Sequence, residues 1–245
     1  MKLGKLPARK DAVTLKLANY ATALPTPPKK YGHQALIIDW GMLGNDQYGD
    51  CVWAGAGHET MLWNKEASKD ILFTAADALA DYSAVTGFNP NDPNSDQGTD
   101  MSQAASYRFH TGVVDKNGNR HKVGAYLAIT PGNRDEVKQA IYLFSDVGVG
   151  FEFPSLAMNQ FNRGQTWHLP AGTLTGEGHY VPAIGYDSRY LYVVTWGRVQ
   201  KMSWGFFSKY CDEALVYLSE EFLTQGKSPE GFDLLALTSD LKQFK

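Results

Sequence analysis

Small and apolar residues run almost unbroken from Val52 to Trp63, and this stretch predicts a helix directly behind a turn rich in Gly, Asn and Asp, Gly44 to Asp50. Thr74, with Asp77 three residues on, reads as the N-cap of a second helix over Ala75–Val85. Met101, Ala104, Ala105 and Phe109 recur on one side of a third helix, Asp100–Thr111, which Gly112 closes. Pro131-Gly132-Asn133 caps a fourth over Arg134–Ser145. From Asp146 the pattern changes. Val147–Phe153 alternates with the two-residue period of a strand, and His179–Tyr186, Tyr190–Trp196 and Ala214–Leu218 read as further strands. Asp187-Ser188-Arg189 supplies the turn between two of them. Helices fill the first half and strands the second. That asymmetry predicts an α+β fold, a helical N-terminal lobe packed on an antiparallel sheet or half-barrel.

Between these elements the chain is punctuated. Residues 1–35 carry little periodicity; Leu6-Pro7 and Pro25-Thr26-Pro27-Pro28 read as extended segments, with Ala12–Ala21 a weak strand or helix between them. The expectation is an arm on the domain surface. Asn64–Asp70 reads as a loop, and Lys116-Asn117-Gly118-Asn119 as a hairpin turn. The run Gly87–Gly98 is dense in Asn, Asp and Pro, but its acidic spacing matches no EF-hand calcium loop.

Composition narrows the classes. At 245 residues and 43% hydrophobic, the chain can bury a full core. A net charge of −3 provides no basic face for nucleic acid or anionic membrane. No run reaches the roughly 18 apolar residues of a membrane span, and the N-terminal stretch lacks the apolar centre of a signal peptide. Two cysteines far apart do not make a disulfide framework. The expectation is a soluble, cytoplasmic protein without cofactor or metal.

The chemistry centres on two distant residues. Cys51 follows the Gly44–Asp50 turn and opens the first helix, where unpaired N–H groups and the helix dipole favour a thiolate nucleophile. His179 follows the flexible Thr175-Gly176-Glu177-Gly178 and stands at the entrance of an apolar strand, as a base for Cys51 would. Other candidates carry less. His58 lies seven residues after Cys51, about 10 Å along a helix, and reads as packing between helix and sheet. His33, His110, His121, His168 and Cys211 form no close-spaced zinc motif, and Cys211 reads as an inert core or loop cysteine. Trp196, Trp204, Phe206 and Phe207 read as core or as the rim of a cleft near His179. Gly148-Val149-Gly150 lacks the rest of a dinucleotide fingerprint.

Taken in order, Asp39-Trp40, Asn45 through Gly49-Asp50-Cys51-Val52-Trp53-Ala54, Gly178-His179 through Ala183-Ile184-Gly185-Tyr186, and Thr195-Trp196-Gly197 resemble the papain-like cysteine peptidases over about residues 36–218. Phe73–Ala78 resembles that family's second helix, and Asp96-Gln97-Gly98 its pocket loop. The resemblance implies an arm over 1–35 and a papain-like domain over 36–245, with a helical lobe about 36–130 and a sheet lobe about 131–245. It implies Cys51 as nucleophile, His179 as base, and an oxyanion hole from the Cys51 N–H with Asn45 or Gln47. Three departures stand out. Asn45 takes the place of the family's Gln, Val52 that of its Trp, and Val194 that of the Asn which orients the histidine. Thr195 is the remaining orienter, and strand alternation predicts that Val194 and Thr195 point oppositely. Residues 1–35 are also too short and proline-broken for the family's long inhibitory prodomain.

Two functions from different classes follow. The first is a cysteine hydrolase of peptide or amide bonds. The second is a catalytically impaired papain-like fold serving as a binding or assembly module, for instance in a viral particle; an acyl transferase or amidase on the same scaffold is a third. The expected partner is a peptide or protein, with no nucleic acid or membrane, and assembly contacts would run through the N-terminal arm.

Overall fold

A computed structural model describes residues 1–21, 24–219 and 232–242; the parts of the arm and the sheet-lobe range at 22–23, 220–231 and 243–245 lie outside them. The helices are α1 (Leu17–Tyr20), α2 (Cys51–Glu66), α3 (Ala75–Thr86), α4 (Met101–His110), α5 (Arg134–Phe144), α6 (Ala157–Asn162), α7 (Trp204–Tyr210) and α8 (Leu234–Leu241). The strands are β1 (Tyr31–Gly32), β2 (Val113–Val114), β3 (Arg120–His121), β4 (Val123–Ile129), β5 (Val147–Pro154), β6 (Leu174–Tyr186), β7 (Tyr190–Thr195), β8 (Arg198–Ser203) and β9 (Cys211–Ser219).

One antiparallel sheet runs in the order β4-β9-β5-β6-β7-β8, with β1 also paired to β6. The fold is therefore α+β, as the pattern predicts. β4 alternates buried and half-buried along its length and pairs with β9, so the end of the range expected for the helical lobe belongs to the sheet. β2 and β3 form a separate hairpin around the Lys116–Asn119 turn.

Central to the packing is α2, buried at every residue from Cys51 to Leu62. Its small residues let it lie close on β6. A Cβ on Gly55 would stand 2.4 Å from the Tyr180 ring, so only glycine admits that contact. Tyr180 is held in turn by a 2.6 Å hydrogen bond from its hydroxyl to Glu59. Glu59 is paired at 2.5 Å with Arg108, whose guanidinium lies 3.8 Å above the Tyr217 ring. Helix α3 carries the predicted capping box: Thr74 accepts from the Asp77 N–H while Asp77 accepts from the Thr74 N–H.

Candidate functional site

Asp50 is the N-cap of α2 but its side chain makes no capping hydrogen bond, so the first turn of the helix begins uncapped at Cys51. The Asp50 carboxylate is fully buried, with the Asn45 side chain beside it. Burial raises the Asp50 pKa well above the usual carboxylate range, which favours the neutral acid beside the cysteine.

Cys51 does not have the thiolate that its helix position suggested. Burial pushes its thiol up to about 12, against the opposing pull of the Tyr180 and Gly4 backbones. The helix terminus favours the anion, but removal of water outweighs it.

His179 sits in the body of β6 rather than at its mouth, because the strand begins at Leu174. It is adjacent in sequence to Tyr180, whose backbone meets the Cys51 thiol. Its Nε2 lies 2.7 Å from Thr195 Oγ1, and its Nδ1 is buried with no partner among the described residues. Thr195 is the last residue of β7, and it faces the imidazole while Val194 packs with Trp40, Leu62 and Ile184. The expected opposition of the two holds, and it leaves threonine on the histidine side. The next residue, Trp196, has φ 43° and lays its ring on His179, with centroids 4.4 Å apart and planes 18° from parallel. A bulky residue in the left-handed region is strained, and here that backbone turn brings the indole over the imidazole. Phe151, Phe153 and Trp167 present their rings edgewise around the same histidine. This dry cage lowers the His179 pKa to about 3, with burial as its cause.

The expected oxyanion donors are placed differently. Asn45 is buried and donates its side-chain amide to the Tyr48 carbonyl at 3.0 Å, where it holds the turn. Gln47 is exposed. In this arrangement the Asn45 amide is committed to the Tyr48 carbonyl. His58 is buried against the segment before the turn, with Nε2 2.9 Å from the Trp40 carbonyl and its ring edge-on to the Trp40 indole. Cys211, half-buried at the start of β9, has a thiol that burial also pushes up to about 12.

Residues 1–6 overturn the expectation of a surface arm. Lys5 pairs antiparallel with Gly178 and parallel with Thr99, so the segment is an extra strand between the Gly98 loop and β6. The Gly4 and Lys5 N–H groups both donate to the Gly178 carbonyl; Thr99 N–H donates to the Gly4 carbonyl at 2.7 Å and Leu6 N–H to the Thr99 carbonyl at 3.0 Å. Lys2 N–H donates to the Asn45 carbonyl, and the Trp196 indole N–H donates to the Lys2 carbonyl at 3.2 Å. Gly4 fits because it has no side chain: a Cβ there would stand 1.8 Å from the Gly49 carbonyl oxygen. The arm thus lies against Gly49, two residues before Cys51, and pairs with Gly178, the neighbour of His179. Beyond it, Arg9 is bidentate to Asp100. No local pattern in the sequence marks this segment as buried. The only trace is the coincidence of glycines at 4, 49, 98 and 178, which meet here across the whole chain length.

No family model and no curated protein sequence matches this chain. Solved structures do. Xylellain, a cysteine protease from Xylella fastidiosa, superposes with a TM-score of 0.67 at 16% identity, over 89% of this chain and 96% of that one. The Carica candamarcensis cysteine protease CMS1MS2 gives 0.57 at 13% identity, over 78% and 99%. Digestive procathepsin L 3 of Tenebrio molitor gives 0.60 at 13% identity, over 84% and 76%. The fold is that of the papain-like cysteine proteases. Among the described residues no helix is long and apolar enough to cross a membrane.

Proposed function

We propose that the protein is a papain-like cysteine hydrolase of peptide or amide bonds, held closed by its own N-terminal arm. The observation that carries this reading is the His179–Thr195 hydrogen bond. With the proton on Nε2 donated to Thr195, Nδ1 keeps its lone pair for the Cys51 thiol. Threonine thereby serves where the family's asparagine is replaced by Val194.

The chemistry requires the arm to leave and water to enter. Rehydration lowers the thiol pKa and raises that of the imidazole, so Cys51 Sγ–H can pass its proton to His179 Nδ1. The thiolate attacks the substrate carbonyl carbon, and the Cys51 N–H at the uncapped start of α2 donates to the developing oxyanion. His179 returns the proton to the amine nitrogen as the C–N bond breaks, leaving a thioester on Cys51. A water molecule then gives one proton to His179 and adds to the thioester. Collapse releases the acid and restores the thiol. His179 is the general base and then the general acid; Thr195 is a positioning residue.

The alternative, a binding module that does no chemistry, draws on one observation. In the closed form the thiol and imidazole are both neutral. A full-length Gly4→Val variant, in which the arm cannot lie against Gly49, separates the two readings. It should hydrolyse fluorogenic peptides between pH 5 and 8, and Cys51→Ala or His179→Ala added to it should remove at least ~99% of the rate. Lack of any Cys51-dependent turnover in the opened variant would overturn the hydrolase reading.

A further inference from the structure

Lys5 is the one lysine of the arm whose side chain is fully shielded from water. Its Nζ lies 2.8 Å from Asp212 Oδ2 and 3.1 Å from Glu213 Oε1, and it donates to the Leu6 carbonyl at 3.0 Å. A buried lysine is costly unless its charge is met, and here two carboxylates meet one ammonium. Its stem is accommodated by a missing side chain: a Cβ on Gly150 would stand 2.2 Å from Lys5 Cε and 2.6 Å from Met101 Sδ.

How two consecutive residues can face one point is explained by the sheet. Along a regular strand neighbours point to opposite faces. Between β5 and β9 the register shifts, Gly150 opposing Glu213 and Phe151 opposing Cys211, so that Asp212 is the extra residue of a β-bulge. A bulge re-aims side chains, and this one brings both acids to the Lys5 ammonium. One oxygen has no partner: Asp212 Oδ1 is buried without a hydrogen bond among the described residues. The lysine therefore leaves the acidic end incompletely satisfied. A planar guanidinium, with several donors in a fork, can reach more of those oxygens than an ammonium.

We propose that the recess which Lys5 fills between Asp212, Glu213, Gly150 and Met101 is a specificity pocket, and that it selects a lysine or arginine side chain in the peptide the protein takes. Lys5 occupies it as an internal mimic of that ligand. The inference rests on the cleft being a peptide site, as in the function proposed above. It adds the chemical class of the peptide, which Cys51 and His179 do not determine. An aliphatic side chain in this pocket would leave two half-buried carboxylates without a counter-charge, so the selection acts by rejection as well as attraction.

The test reads binding, and reads turnover separately. The full-length protein carrying Cys51→Ala and Lys5→Glu, in which a third carboxylate expels the arm, is titrated by fluorescence anisotropy with labelled pentapeptides Ala-Gly-Xaa-Ala-Gly. Should Lys5→Glu impair folding, Lys5→Ala takes its place. Peptides with Xaa lysine or arginine should bind at least tenfold more tightly than those with leucine or glutamate. Adding Asp212→Asn and Glu213→Gln should abolish that preference. Equal or tighter binding of the leucine peptide, no binding of the basic peptides, or a preference that survives the double amide change would each overturn the proposal. With Cys51 restored, basic peptides that bind but are not cut would sink the hydrolase reading and leave the pocket standing.

Discussion

His58 and His179 are both fully buried, and their pKa values fall to about 4 and about 3 as burial disfavours the imidazolium. In the unfolded chain each would titrate near ~6.5. As pH falls below that value the unfolded state binds protons that the folded state refuses, so each histidine subtracts stability in the acid range. Asp50 and Asp146, whose pKa values burial raises, work in the opposite direction: they retain protons in the folded state and subtract stability as pH rises above the unfolded carboxylate range. The four effects overlap, so the raw stability profile isolates none of them. A difference does. His58→Gln keeps an N–H donor for the Trp40 carbonyl and removes one titration. Relative to that variant, the wild type should lose ~1.4 kcal/mol per pH unit on going from pH 6.5 toward pH 4, roughly 3 kcal/mol in all. Urea unfolding of both proteins at several pH values measures it; a flat difference would mean His58 is reached by water.

At the level of elements, the contact of α2 with β6 shows where local preference loses to packing. Alanine is the better helix former, and Gly55→Ala would gain up to ~1 kcal/mol from propensity alone. Against this, the new Cβ would lie 2.4 Å from the Tyr180 ring, which Glu59 anchors. Overpacking of this kind costs ~1–3 kcal/mol, so the substitution should lower stability, by an amount that a urea midpoint will show. The same elements reveal which features were legible in the sequence. α3 with its Thr74–Asp77 box, α4 with its apolar side, and strands β5, β6 and β7 followed from caps and periodicity, which are written locally. β4 was missed because Val123–Ile129 is a near-continuous apolar run without a diagnostic period, and α7 because seven residues, Trp204–Tyr210, are too few to show one. Thr195 could be ranked only once β7 was seen to end there, with Trp196 turning back over His179.

On the scale of the molecule, Cys51 and His179 could be singled out as candidates, but the segment lying beside Cys51 could not, because its anchoring residues, Lys5 and Asp212, are separated by 207 positions and no sequence window holds both. Residues 1–6 lie as a short strand between the Gly98 loop and β6, a pairing that no local pattern announces. The corresponding prediction concerns reactivity. At pH 8 the wild-type Cys51, with its thiol near 12, should alkylate with iodoacetamide at least ~100-fold more slowly than a free thiol of pKa ~8.5. Gly4→Val should raise the rate by tenfold or more, as followed by peptide mass mapping. An unchanged rate would show that the arm is not what shields the sulfur.

Because the arm is joined to the body it covers, it acts as a ligand whose concentration does not fall on dilution. Tethering of this kind corresponds to an effective concentration on the order of millimolar, and any free peptide must compete against it. Between the cleft strand and α1 the chain passes through Arg9, Lys10, Asp11 and Ala12, all exposed. One backbone cut there would convert a unimolecular closure into a bimolecular one. The freed segment would then dissociate at nanomolar protein, so a single nick would make closure depend on concentration with no change to any residue of the body.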